Sequence, residues 1–241
     1  MSLYLIIGAS SDLAKATIEL LLESGASCIL VARNRSMCDD FALNHPLSSQ
    51  IVDIIEHDIC HQSVETLLET LTNELTGVIC FVGSLTPQSI VESNTDALSR
   101  EIFVNYTGIV TIFNALSTRF IAQGHGIMAC IGSVAGDRGR PGNYVYGSAK
   151  AGLAVYLEGL QARLFKHNVH VCIIKPGFIQ TKMLPDTAGP SFLIATPERI
   201  ATDIITAIKK KKRCVYTPWF WRGIMMVIKA IPSRLFVKLS L

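Results

Sequence analysis

Charge is scarce in this sequence. Only 17% of its 241 residues are Asp, Glu, Lys or Arg, and the net charge is +3. That balance is too weak to carry nucleic-acid binding, which needs a basic face or groove. Seven cysteines are scattered with no C-x-x-C pair, so the spacing of a zinc ribbon or a dithiol redox site is missing and no metal site is expected. Cys28, Cys80, Cys130 and Cys172 fall in apolar runs, which points to reduced, buried thiols in a cytoplasmic protein. No run reaches the ~18 uninterrupted apolar residues of a spanning helix. No secretory leader is expected either, because the first residues enter the strand-like run Leu3-Tyr4-Leu5-Ile6-Ile7 at once. Internal repeats and low-complexity linkers are also missing.

What is present is apolar residues, 49% of the chain, in an ordered alternation. Short aliphatic runs at Leu3–Ile7, Ser27–Ala32, Ile51–Glu56, Gly77–Val82, Gly126–Ile131, Val169–Lys175 and Cys214–Tyr216 read as strands covered on both faces. Helical patterns lie between them, near Ser11–Ser24, Ser36–Asn44, Ser63–Glu74, Thr95–Gln123, Tyr144–His167 and Pro197–Lys209. Strand-helix alternation predicts an α/β fold: one Rossmann-type, doubly wound parallel sheet of about seven strands, with helices on both faces. Residues 1–216 form this domain in the reading, and 217–241 a C-terminal amphipathic helical extension. Ligands of such sheets bind beyond the carboxyl ends of the strands, so the residues just after each strand carry the functional information.

Strand one runs into Gly8-Ala9-Ser10-Ser11-Asp12-Leu13-Ala14. A glycine there permits a tight turn, and the free N–H groups of the following helix suit a phosphate. After strand two comes Ala32-Arg33-Asn34-Arg35. A cation at this place suits the extra phosphate of NADP, and Arg33 is better placed for it than Arg35. Asp58 and Ile59 follow strand three, where they could hold an adenine edge. Gly83 follows strand four and lets the backbone approach a cofactor.

Tyr146 and Lys150 stand four residues apart, so a helix presents both on one face. A phenol ordinarily titrates near ~10 and needs help to exchange protons at neutral pH. A neighbouring ammonium favours the phenolate and provides that help. Ser133 lies 13 residues earlier, just past strand five, where a hydroxyl could hold a substrate oxygen. Asn105 sits inside a long helical pattern, which disfavours asparagine unless its side chain has other work. After strand six, Pro176-Gly177-Phe178-Ile179-Gln180-Thr181 forms a turn that could cover a nicotinamide through Pro176, Gly177, Ile179 and Thr181.

These residues, in this order, resemble the short-chain dehydrogenase/reductase family over about residues 3 to 216. The resemblance implies an Asn-Ser-Tyr-Lys tetrad at Asn105, Ser133, Tyr146 and Lys150, a nicotinamide cofactor (here NADPH rather than NADH), and a dimer or tetramer. It implies Tyr146 as general acid/base, Lys150 on the nicotinamide ribose, Ser133 on the carbonyl, and Asn105 in a proton relay. Gly8, Ser10, Ser11, Asp12 and Leu13 would hold the cofactor. Two places depart from the family pattern. Asp12 and Ala14 replace the second and third glycines of the first turn, and a carboxylate near a pyrophosphate repels it unless Asp12 caps the first helix and faces away. After strand four, Cys80-Phe81-Val82-Gly83 keeps only the glycine. A catalytically silent dinucleotide-binding regulator is the alternative reading.

Both tryptophans lie in the C-terminal stretch Pro218-Trp219-Phe220-Trp221-Arg222, which continues to Ile231-Pro232-Ser233-Arg234-Leu235-Phe236. Pro232 should separate two short helices. Such a basic, aromatic segment, preceded by Lys209–Arg213, can lie on the inner face of a membrane, pack on its own subunit, close the substrate pocket or form a dimer contact. With the first turn, it resembles the family branch typified by decaprenylphosphoryl-ribose 2-keto reductase, which implies a lipid-linked keto-sugar or another hydrophobic ketone as substrate. The segment from Met183 to Thr196, with Pro185, Gly189 and Pro190, is expected to roof the pocket.

Overall fold

The computed structural model describes residues 2–184 and 189–239. Seven strands, β1 (Leu3–Ile7), β2 (Ser27–Ala32), β3 (Ile51–Glu56), β4 (Gly77–Cys80), β5 (Gly126–Ile131), β6 (Val169–Pro176) and β7 (Cys214–Thr217), form one all-parallel sheet in the order 3-2-1-4-5-6-7. Their continuous aliphatic runs follow from burial on both sides. Ile6, Leu30, Ile79 and Cys172 face one core, while their chain neighbours Ile7, Val31, Cys80 and Ile173 face the other. The two edge strands are less covered: β3 exposes Val52 and Asp53, and β7 exposes Cys214.

The first core is covered by α1 (Asp12–Glu23), α2 (Ser36–Asn44) and α8 (Pro197–Lys209). The second is covered by α3 (Val64–Thr70), α6 (Gly108–Gln123) and α7 (Tyr144–Phe165). Helix α8 starts as its sequence demands: Thr196 accepts from the Arg199 N–H, and Pro197 takes the first position, where a missing N–H costs nothing. A left-handed Gly124 (φ +77°) ends α6.

Three expectations need correction or refinement. Strand β4 stops at Cys80 and not Val82, because Phe81 already turns toward the ligand edge after its N–H donates to the Ile7 carbonyl. The long helix over 95–123 runs without a gap but is not uniform. It divides into α5 (Thr95–Ile102) and α6, joined by a wide π-turn at Phe103–Thr107. The helix begun at Ser63 ends at Thr70, four residues short, and a further helix, α4 (Gln88–Ser93), precedes α5.

The strand register brings the carboxyl ends together at one edge: Ile7 pairs with Val31 and Cys80, Ile131 with Ile174, and Pro176 with Thr217. The chain winds outward in opposite directions from β1 and β4, so the crevice at that switch point opens there. After β7 the chain returns over this edge as α9 (Trp221–Ala230) and α10 (Ser233–Phe236), with Pro232 between them. Trp221 and Met225, one turn apart, pack with Val134 in a small third core. Among the described residues, no helix is long and apolar enough to cross a membrane.

Candidate active site

A cavity of about 280 Å³ lies at the carboxyl edge of the sheet. Residues from four strand ends and from α7 line it: Ser10, Ser11, Asp12 and Leu13 after β1, Gly83 after β4, Ser133 after β5, Pro176, Gly177, Ile179 and Thr181 at and after the end of β6, and Tyr146 and Lys150 on α7. Gly8 sits beneath the first turn with φ +81°, and a Cβ there would stand 3.0 Å from the Val82 nitrogen. Only glycine takes both that backbone and that proximity without strain. The turn delivers the chain to α1, whose first residues, Asp12 and Leu13, line the cavity. Ser11 is the cap, accepting from the Ala14 N–H at 3.2 Å. Asp12 therefore does not cap α1 and does not face away. It is the first helical residue, it is exposed, and it lines the cavity.

Arg33, Asp58 and Ile59 lie outside this lining. Arg33 is exposed and has no hydrogen bond or ion pair among the described residues, whereas Arg35 is occupied by the Ile54 carbonyl and by Asp39. Asp58 accepts from the Cys60 N–H and from His61, both at 2.9 Å. Partial burial pushes its carboxyl up, but these bonds and the Arg33 charge outweigh that and hold it below the usual range. Ile59 packs against Gly108 and lines a second cavity between the segment after β3 and α6.

On α7, Lys150 is buried and its Nζ stands 5.8 Å from the Tyr146 ring centre, so the two side chains share one face. Nζ donates to the Ile131 carbonyl at 3.2 Å, which ties the helix to the end of β5. Ser133 comes close because the segment after β5 lies directly on α7. A Cβ on Gly147 would meet the Ala135 carbonyl oxygen at 2.9 Å, so the helix needs a glycine there to accept that backbone. Ser133 Oγ accepts from the Ala135 N–H at 3.1 Å, which leaves its own proton free to donate.

Asn105 occupies the π-turn and is fully buried. The extra residue of such a turn breaks the regular ladder and redirects a side chain, which is how an asparagine is accommodated inside a helical pattern. Its Nδ2 donates to Glu101 Oε1 at 2.9 Å and to the Ser84 carbonyl at 3.0 Å, and its Oδ1 accepts from the Ser84 N–H at 3.2 Å. A Cβ on Gly83 would lie 3.2 Å from Asn105 Oδ1 and 3.5 Å from Lys150 Nζ, so both groups converge on that glycine. Glu101 was invisible to pattern reading. It is 1% exposed, and its other oxygen accepts from the Ser84 and Thr86 hydroxyls, each at 2.8 Å. One buried carboxylate thus holds both the loop after β4 and Asn105.

The roof is partly as expected. Thr181, Lys182, Met183 and Leu184 line the cavity, and Phe178–Ile179 pairs in parallel with Ile194–Ala195 to anchor the far side. Pro185 lies outside the described residues; Gly189 and Pro190 lead into a short turn at Ser191–Leu193. Arg140 and Asn143, in the turn before α7, also line the cavity and escaped notice. Among the described residues, no three His, Cys, Asp or Glu side chains gather as a metal ion requires.

The family model for short chain dehydrogenases matches residues 2–189. The chain belongs to this family. An uncharacterized oxidoreductase of Mycobacterium tuberculosis is 31% identical over 217 residues, spanning 88% of this chain and 86% of that protein. A short chain dehydrogenase from Burkholderia cenocepacia, solved in complex with NADP, superposes with a TM-score of 0.84 at 23% identity, over 100% of this chain and 98% of that one. One from Sphingobium yanoikuyae in complex with NADPH gives 0.82 at 21%, over 97% of each chain. This short-chain dehydrogenase is an oxidoreductase with the doubly wound sheet and the ligand edge described above.

Proposed function

We propose that the protein is an NADPH-dependent ketoreductase that uses Tyr146 as its proton donor. The observation that carries this reading is the meeting of Tyr146, buried Lys150 and Ser133 in one cavity with the turn after β1 and the first residues of α1. The cradle suits a dinucleotide: Gly8 leaves no Cβ in the turn, and Gly83 leaves space beside Lys150 and Asn105. Bound there, NADPH supplies the hydride that reduces a carbonyl carbon. Ser10, Ser11 and Leu13 would hold its phosphates, Arg33 its extra ribose phosphate, and Pro176, Gly177, Ile179 and Thr181 its nicotinamide end. Asp58 and Ile59 would flank the adenine.

The chain's own residues do the rest. Ser133 donates a hydrogen bond to the carbonyl oxygen and stabilises charge as it develops. Tyr146 gives that oxygen a proton, so the alcohol leaves neutral. Lys150 holds positive charge beside the phenol and binds the ribose hydroxyls. Asn105, fixed by Glu101, presents Oδ1 to the Lys150 side, where a water can return the proton.

The lining supports a hydrophobic or lipid-linked carbonyl substrate, since Leu85, Val134, Phe178, Met183 and Leu184 surround the polar centre. A peripheral contact with an anionic membrane accords with the tail. Its outer side exposes Trp219, Met226, Val227, Leu235 and Val237 beside Arg222, Lys229, Arg234 and Lys238, and no acidic residue occurs from Ile204 onward. Assembly as a homo-oligomer accords with the exposed Val155 and Phe165 of α7. The decisive test is Tyr146→Phe. NADPH oxidation with a ketone panel should fall by about 10²- to 10⁴-fold, while NADPH binding by calorimetry stays unchanged. Retained turnover removes Tyr146 as the donor, and a wild-type protein inert toward every ketone removes the reductase reading.

A further inference from the structure

The cavity has a second polar end that hydride transfer does not use. Arg140, Pro141, Gly142 and Asn143 form a turn directly before α7, closed by the Asn143 N–H donating to the Arg140 carbonyl at 3.2 Å. Asn143 starts the helix and Tyr146 stands one turn on, so both face the same side. Arg140, Asn143, Ser133 and Tyr146 all line the one cavity.

Both side chains in this turn are incomplete. Arg140 Nε and Asn143 Oδ1 are buried without a hydrogen-bond partner. The guanidinium touches one protein acceptor, Met225 Sδ at 3.4 Å, and a thioether accepts weakly. Asp137 is the carboxylate that acts on Arg140 through space, but its oxygens are already taken by Lys175 Nζ at 2.7 Å and the Tyr216 hydroxyl at 2.6 Å. Arg140 has no ion pair among the described residues, and burial lowers its pKa from the usual arginine range despite Asp137. A guanidinium partly withdrawn from water without a counter-ion is unfavourable, and an anion entering the cavity offsets that cost. Its planar fork matches a carboxylate or a phosphate.

The cofactor's pyrophosphate is not that anion. The turn at α1 follows β1, whereas Arg140 follows β5, and β4 lies between them. Adjacent strands are ~4.8 Å apart, so the two segments are offset by roughly 10 Å.

We infer that Arg140 and Asn143 form an anion-recognition subsite, and that the substrate is a ketone carrying a carboxylate or phosphate. The inference rests on the reductase reading and names the substrate class of the same site. The anion meets the Arg140 fork, a neighbouring hydroxyl of the substrate donates to Asn143 Oδ1, and the carbonyl oxygen is left toward Tyr146 and Ser133. Met225 on α9 fixes where Arg140 reaches, so the C-terminal helices form part of the substrate wall.

Three ketones with one carbonyl environment test this: acetophenone, 4-acetylbenzoate and 4-acetylphenyl phosphate, each with NADPH. A charged hydrogen-bonded pair is worth about 10- to 100-fold in binding, so kcat/KM should favour a charged ketone over acetophenone by that factor. The two charged arms separate carboxylate from phosphate. Arg140→Gln should bring the charged-to-neutral ratio near one, and Arg140→Lys should keep part of it. Equal kcat/KM for all three ketones, or a preference that survives Arg140→Gln, overturns the inference. A second readout needs neither turnover nor a variant: phenyl phosphate or benzoate should bind the NADP-loaded wild-type protein by calorimetry more tightly than benzyl alcohol. If no ketone oxidises NADPH, the reductase reading fails, and this binding comparison still decides the subsite. Equal, weak binding of all three probes rejects it.

Discussion

Gly177→Ala probes the contact that joins the active-site edge to the C-terminal helices. Gly177 follows β6, its N–H donates to the Thr217 carbonyl at 3.1 Å, and Trp221 lies directly over it. A Cβ would stand 1.9 Å from Trp221 Nε1 and 2.0 Å from Cε2. Ordinary contact begins near 3.4 Å, so the indole must retreat by about 1.5 Å. It has nowhere to go: Trp221 is 3% exposed and sits edge-on to Phe178 at 5.6 Å, with Val134 and Met225 beside it. Overpacking of a tight core costs about 1–3 kcal/mol, and full expulsion of a tryptophan about 3–5 kcal/mol. The substitution should therefore destabilise by ~2–4 kcal/mol, between those limits. Urea unfolding followed by circular dichroism measures the loss. Emission reports its cause, because Trp219 is 77% exposed and only Trp221 is buried, so a red shift must come from Trp221. The clash also predicts coupling. On a Trp221→Val background, Gly177→Ala should cost less than about 0.5 kcal/mol, since the two sites then share no contact. A stability change below that threshold in the wild-type background, with unchanged emission, would refute this account of how the tail docks.

Three further outcomes follow from the site. Arg33→Glu should weaken NADPH binding by about 10- to 100-fold and reverse the larger rise in Tm that NADPH gives over NADH; a wild-type preference for NADH denies Arg33 its role. Asp12→Asn removes a like charge from the pyrophosphate end and should tighten NADPH by roughly 5-fold, while lost helix-dipole support lowers stability by about 0.3–1 kcal/mol; weaker NADPH binding would show that Asp12 helps hold the cofactor. Removing the tail entirely would strip Trp221, Met225 and Phe236 from the core, so the membrane reading is better tested on its outer side. Lys229→Gln, Arg234→Gln and Lys238→Gln together should lower co-sedimentation with phosphatidylserine vesicles by about 100-fold at low salt; no change leaves the tail a packing element.

What the sequence determined by itself is the architecture and the list of chemically capable residues. Strands buried on both faces must be aliphatic throughout, and helices must repeat every three to four residues, so Ser27–Ala32 and Pro197–Lys209 were legible to the residue. Tyr146 and Lys150 were legible because helical spacing alone puts them on one face. Only the tertiary structure decided which partners complete them. Glu101 reaches Ser84 and Thr86 across 15 to 17 residues, and Arg140 reaches Met225 across 85; no local periodicity records such contacts. Nor could spacing show that Asp12 faces the cavity, that a π-turn turns Asn105 inward, or that Trp221 closes over Gly177. Those facts depend on where separate elements meet, and burial and satisfied hydrogen bonds fix that only once the whole chain is packed.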